Sequence, residues 1–260
     1  MRYRLGIVLS GGGSRGLAHA GVLQALAEAG IEPDCVAGTS AGALVGALWA
    51  AGCGPERVLD FFQTASPFRL SKLASLRKPG WIDTEKIEAD FRAFFPGDSF
   101  EALHRPLFVT ATDLAGARLE VFSSGPLVRP LLASASIPLL FTPTAIDGRM
   151  YADGGILDNF PVEPLLGLCD VILGVYASPL SEVAASGLRS ALAISQRAFE
   201  IGMFHASRRK FHQVDLLIAP PALHGYGLFD LRRHREILEL GRASAAERLD
   251  EIRALLDAGR

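Results

Sequence analysis

The sequence predicts an α/β fold with a mainly parallel central sheet, and three observations carry that expectation. Residues 5–9 form an unbroken apolar run, the pattern of a strand buried on both faces. A second run at residues 35–38 has the same character, and each empties into a glycine-bearing loop. A helical pattern follows each loop. Strand, loop and helix repeated in this order make an α/β unit whose loops gather on one edge of the sheet.

The elements follow in order. The helical stretch 17–29 turns Val22, Leu23, Leu26 and Ala27 inward and stops at Gly30. A second helix covers about 41–51, and a third, 55–62, opens on proline at its first position. Residues 84–95 read as an amphipathic helix, 107–112 and 118–122 as a strand hairpin across Ala115-Gly116, and 126–135 as a helix. Asp147-Gly148 marks a tight hairpin before Asp153-Gly154-Gly155. Two further buried strands, 171–176 and 214–218, flank a long helix over about 186–210, and a closing amphipathic helix spans 231–256. No repeat, low-complexity segment or linker divides the chain, so one domain over 1–260 is the economical reading.

Composition narrows the function. With 49% hydrophobic and 21% charged residues, the chain has enough apolar surface for a full core. A net charge of −2 and a pI near 6.3 exclude a bulk pull toward nucleic acid. Cys35, Cys53 and Cys169 lie in apolar runs without metal-ligand spacing, as expected of buried free thiols in a reducing compartment such as the cytoplasm. The basic start Met1-Arg2-Tyr3-Arg4 leads into a strand rather than a signal peptide. Residues 36–55 carry no charge, but their glycines and Pro55 shorten the helix to about half a membrane span.

Residues 64–81 are different. Phe68, Leu70, Leu73, Leu76 and Trp81 alternate with Arg69, Lys72, Arg77 and Lys78, and no acid appears before Asp83. Two readings stand open: a lid or peripheral patch lying on anionic lipid at the inner membrane surface, or a plain connection with its apolar residues tucked onto the core.

The chemistry centres on Gly38-Thr39-Ser40-Ala41-Gly42, a serine between two glycines at a strand-to-helix junction. Such a nucleophile elbow lifts the hydroxyl clear of the sheet and sets it at a helix N-terminus, where developing negative charge is favoured. Gly12-Gly13-Ser14-Arg15-Gly16 matches the same pattern. Attack on an ester also needs amide donors for the oxyanion, which Gly11-Gly12-Gly13 can supply, and a base. Of the histidines downstream of Ser40, only His224 sits in a convincing loop. Asp153, at a strand end before two glycines, can act as base where burial raises its pKa. A rival reading takes Gly11, Gly13 and Gly16 as a dinucleotide fingerprint with Asp34 as the ribose-binding acid.

Four blocks then appear in order: Gly11–Gly16, Gly38–Gly42, Ala133-Ser134-Ala135-Ser136-Ile137-Pro138 with Phe141 and Pro143, and Asp153-Gly154-Gly155 with Asp158-Asn159-Phe160-Pro161. Together they resemble the bacterial patatin-like phospholipases, over about residues 5–165, the remainder 166–260 being only generically similar. The resemblance implies a three-layer α/β/α fold and a serine acyl hydrolase that cleaves lipid esters, of phospholipase A or lysophospholipase type. It also implies a Ser/Asp dyad without histidine and no metal or organic cofactor. Carried over by position, Ser40 is the nucleophile, Asp153 the base, and Gly11, Gly12 and Gly13 the oxyanion hole. Arg15 steadies the glycine loop or meets a lipid phosphate, and Ser14 falls at a variable position. A regulatory protein of the same fold with little turnover is the remaining alternative; oligomeric state is left open.

Overall fold

The computed structural model describes residues 2–64, 80–228, 230 and 232–258. Its strands are β1 (Tyr3–Leu9), β2 (Cys35–Thr39), β3 (Leu107–Asp113), β4 (Arg118–Phe122), β5 (Thr144–Ile146), β6 (Arg149–Asp153), β7 (Cys169–Val175) and β8 (Leu216–Ile218). The helices are α1 (Leu17–Glu28), α2 (Ala41–Ala50), α3 (Pro55–Thr64), α4 (Thr84–Phe94), α5 (Val128–Ser134), α6 (Ala191–Arg208), α7 (His234–Ala246) and α8 (Leu249–Ala258).

The strands form one mixed sheet in the order β5-β6-β3-β2-β1-β7-β8, and its β3-β2-β1-β7-β8 portion is parallel throughout. Alternation along the central strands sorts their side chains between two apolar layers. Leu5, Ile7 and Leu9 join Val36, Val171, Leu173 and Val175 beneath α1, α2 and α7. Val8, Cys35, Ala37 and Ile172 face the other way, against Phe160, Tyr176 and Phe204. This is the mainly parallel α/β architecture expected from the two buried runs.

The edge strands explain how distant parts of the chain meet. β3 pairs with three neighbours but has only two edges. β4 takes Val109 to Asp113 along one of them. The other is shared: β2 runs parallel up to Thr39 opposite Thr110, and β6 arrives antiparallel and ends at Asp153 opposite Ala111. The C-terminal ends of β2 and β6 therefore meet head to head across two consecutive residues of β3.

The helix boundaries depart from the periodicity in two places. α6 begins at Ala191 rather than near 186, because the Ser190 hydroxyl caps it by accepting the Ala193 N–H at 3.1 Å. The closing helix is two helices, with a turn at Glu247-Arg248 that swings α8 so that Ile252 and Leu256 reach the core. α7 lies directly on α1 through a reciprocal contact. A Cβ on Gly21 would sit 1.9 Å from the Leu238 carbonyl oxygen, and one on Gly241 2.0 Å from that of Ala18. Asp147 and Gly148 both have positive φ, 48° and 76°, as the Asp-Gly hairpin turn between β5 and β6 requires.

All three cysteines are free, with Cys35 and Cys169 buried side by side at an Sγ–Sγ distance of 3.2 Å. Among the described residues no helix is long and apolar enough to cross a membrane, and no cluster of metal-ligating side chains occurs. Of the basic and apolar stretch 64–81, residues 65–79 lie outside the described residues. Its last residue, Trp81, is 60% exposed and donates its N–H to the Leu140 carbonyl.

Candidate active site

Ser40 leaves β2 with φ 52° and ψ −123°, a conformation that L-residues adopt only under constraint. The constraint is steric on both sides. A Cβ at Gly38 would lie 2.7 Å from the Ala43 nitrogen, and one at Gly42 2.2 Å from the Leu9 carbonyl oxygen. Strand and helix can therefore turn this tightly only with glycine at both positions. The Ser40 N–H is held by the Ser134 hydroxyl at 2.8 Å, and its side chain stands at the first turn of α2.

Asp153 arrives from β6. Its main-chain N–H donates to the Ser136 carbonyl at 2.9 Å, its carbonyl accepts the Thr112 hydroxyl at 3.0 Å, and its Oδ1 accepts the Gly155 N–H at 2.7 Å. The turn at the end of α5 thus grips both partners, Ser134 holding the elbow and Ser136 the aspartate. The Ser40 side chain and the Asp153 carboxyl line one cavity, close enough for the hydroxyl to lower the carboxyl's pKa. Burial pushes the Asp153 pKa up to about 7, and the nearby Ser40 hydroxyl and the Gly155 N–H oppose that rise.

The glycine loop closes the third side. Gly12 and Gly13 line a cavity of about 220 Å³ together with Ser40 and Asp153. Gly11 does not share in it: its N–H donates to the Asn159 carbonyl at 3.3 Å. Of the three glycines expected to form an oxyanion hole, Gly12 and Gly13 keep amides with no protein acceptor among the described residues, whereas Gly11 spends its amide on the Asn159 carbonyl. Ile137, Leu139 and Leu140 form one apolar wall of the cavity, and Leu192, Phe199 and Met203 of α6 form its roof.

Arg15 turns away from the cavity. It is 6% exposed, reaches the Gly12 carbonyl through Nε at 3.4 Å and faces Glu200 of α6 at 3.8 Å, so it braces the loop from behind. Ser14, in the competing elbow pattern, donates to the Gly227 carbonyl and accepts the Asp230 N–H, which ties the loop to the segment before α7. Asp34 accepts the Leu5 N–H at the start of β2, a full strand length from the glycine loop at the end of β1. The fingerprint reading of Gly11, Gly13 and Gly16 therefore loses its acid.

No histidine lines the cavity among the described residues. His224 is exposed, with Nδ1 against the Pro221 carbonyl at 2.5 Å. His19 is buried under the loop, where burial lowers its pKa to about 4 and leaves it neutral, donating Nε2–H to the Ser10 carbonyl at 2.7 Å.

Comparison with known proteins is consistent with this geometry. The patatin-like phospholipase profile matches residues 7–166. An uncharacterised NTE family protein of Mycobacterium tuberculosis is 38% identical over 170 residues, 64% of this chain and 46% of that protein. The lysophospholipase nte1 of Aspergillus fumigatus is 30% identical over 285 residues, covering 96% of this chain but 18% of the fungal protein. The chain thus spans about half or less of the curated relatives it matches. The human GIVD cytosolic phospholipase A2, solved with methyl gamma-linolenyl fluorophosphonate, superposes with a TM-score of 0.54 at 11% identity, over 99% of this chain and 59% of that one. That likeness is one of fold. With all four glycine, serine and aspartate blocks inside or at the edge of the matched segment, the chain belongs to the patatin-like phospholipase family.

Proposed function

We propose that the chain is a serine acyl hydrolase that cleaves carboxylic esters of lipids, of phospholipase A or lysophospholipase type, through a Ser40/Asp153 dyad. The observation that carries this reading is the convergence, in one cavity beneath an apolar roof, of Ser40 on its strained turn and a buried carboxyl with a pKa near 7. A base with that pKa is ionised for a large fraction of molecules at neutral pH and still basic enough to take a proton in the transition state. Residues 1–260 act in this reading as one unit, because β7 completes the sheet under the glycine loop and α6 roofs the cavity.

Asp153 takes the Ser40 proton as Oγ attacks the ester carbonyl. The oxyanion forms against the Gly12 and Gly13 amides, each such donor contributing about 3 kcal/mol to the transition state. The proton passes to the departing alkoxide, leaving Ser40 acylated, and Asp153 then deprotonates the water that releases the acid. The lysophospholipase names among the relatives favour a lipid bearing one acyl chain.

Purified Ser40→Ala and Asp153→Asn, assayed beside wild type on a short-chain p-nitrophenyl ester, test the dyad. Turnover should fall about 10⁴-fold or more in each, and a fluorophosphonate probe should label wild type but not Ser40→Ala. Full activity in either variant sinks the proposal, as would loss of labelling in Ser14→Ala with Ser40→Ala still labelled.

A further inference from the structure

Asn159 has no part in the dyad, yet its amide head sits at the centre of the site. The residue is 2% exposed and lines the same cavity as Ser40 and Asp153. Two glycine backbones locate the head. A Cβ built on Gly11 would lie 2.3 Å from Asn159 Oδ1 and 3.2 Å from Ser40 Cβ. One built on Gly155 would lie 3.0 Å from the same Oδ1 and 2.9 Å from Asp153 Oδ1. The amide is wedged between loop, nucleophile and carboxylate.

The main chain alone performs the local structural task. The Asn159 carbonyl accepts the Gly11 N–H, and the Asp158 carbonyl accepts the Thr39 hydroxyl at 2.9 Å. The side-chain amide is left over. Its Nδ2 is buried without a hydrogen-bond partner among the described residues. The Tyr176 hydroxyl, 2% exposed as a residue, lies near this amide but outside hydrogen-bonding geometry, and is equally unpartnered. Burying such groups unpaired is unfavourable, and folded proteins keep them where a ligand or a small movement completes them. A half-turn about the Cβ–Cγ bond does so here: Oδ1 turns to the Tyr176 hydroxyl, which can donate to it, and Nδ2 turns to the cavity beside Ser40.

We propose that Asn159 is a further catalytic residue whose Nδ2–H donates to the carbonyl oxygen of the bound ester, with Tyr176 as the positioning residue that orients the amide. An oxyanion offers three lone pairs, and the Gly12 and Gly13 amides meet two. The Asn159 donor meets the third as the tetrahedral intermediate forms. This assignment rests on the acyl-hydrolase reading and extends it.

The test is steady-state hydrolysis of p-nitrophenyl butyrate by Asn159→Ala, Asn159→Asp and Tyr176→Phe, each on the alkaline plateau of its own pH profile, with fluorophosphonate labelling and thermal unfolding alongside. Both Asn159 variants should lose about 100-fold in kcat with KM within threefold of wild type, and Tyr176→Phe about fivefold. Asn159→Asp keeps the shape but exchanges the donor for a carboxyl that can carry charge beside Asp153, so its loss supports the assignment only where the uncharged Asn159→Ala shares it. Retention of kcat within threefold in Asn159→Asp, or a rise in KM at unchanged kcat, overturns the assignment. A labelled wild type with unaffected variants removes this assignment alone. A wild type that neither labels nor turns over removes the acyl-hydrolase reading as well.

Discussion

The floor and the roof of the cavity are built on opposite terms. Ser40 and Asp153 on the floor are 6% and 2% exposed, and main-chain bonds hold each at the point where β2 and β6 meet on β3. The roof is α6, in which only Met203 and Ser207 are buried among eighteen residues, while Ile194 and Ile201 are 53% and 40% exposed. The floor is fixed by backbone geometry that tolerates almost no variation in side-chain size. The roof is fixed by side-chain contacts on one helix face, which can change without disturbing the sheet. In the proposed hydrolase this division puts reactivity in the rigid half and the fit of the acyl chain in the adaptable half, as expected where bond-making needs sub-ångström placement and an apolar chain does not.

Beyond the loss of the dyad itself, the pH dependence gives the largest expected effect and belongs wholly to the floor. Asp153 must be ionised to act as base, so kcat/KM should fall about tenfold per pH unit below its value near 7, or about 100-fold at pH 5. A profile flat from pH 5 to 8 would break the assignment of base. Stability moves the other way. The native value lies above the unfolded one of about 3.9, so the native state binds the extra proton. The favourable contribution is complete below about pH 4 and is lost as pH rises through 7. Asp153→Asn should consequently be more stable than wild type at pH 8, by up to about 4 kcal/mol, although nearly inactive. Thermal midpoints compared at pH 4 and pH 8 would check this.

The grip on the elbow comes next. Ser134→Ala removes the acceptor of the Ser40 N–H, a buried bond whose loss costs about 1–2 kcal/mol. A kcat about tenfold lower with KM little changed is expected, because the bond positions the nucleophile rather than the substrate. Unaltered kcat would show that the two glycines alone set the turn.

The smallest effect separates the two halves most cleanly. Phe199→Ala in the roof should raise KM for octanoyl esters about fivefold, through lost apolar contact, while kcat on acetyl esters stays within twofold. A comparable loss of kcat on acetyl esters would mean that roof and floor are not independent.

How much of this was legible in the sequence follows the same division. Gly38, Ser40 and Gly42 announce the elbow because a turn so tight excludes side chains at fixed positions, and the unbroken run at 5–9 announces a strand buried on both faces. Asp153 was legible as a strand end freed by two glycines. The grip of Ser134 and Ser136 was not, although both lie in one of the recognised blocks, because a buried serine hydroxyl shows its partner only once α5 is packed against β2 and β6. The inward amide of Asn159 was hidden for the same reason. α6 was predicted five residues too long at its start because a capping serine and a helical serine look alike in a polar stretch.

By itself, then, the sequence determined the α/β class, the turn that exposes Ser40 and the local freedom of Asp153, since each is dictated by side-chain volume or hydrophobic period within a few residues. Only the tertiary structure decided that β2 and β6 share one edge of β3 and so bring residues 40 and 153 together. It alone also decided that Gly11 spends its amide on Asn159 and that α6 covers the cavity. Those are pairings between segments from about forty to more than a hundred residues apart, chosen by the packing of the whole sheet, and no local pattern carries them.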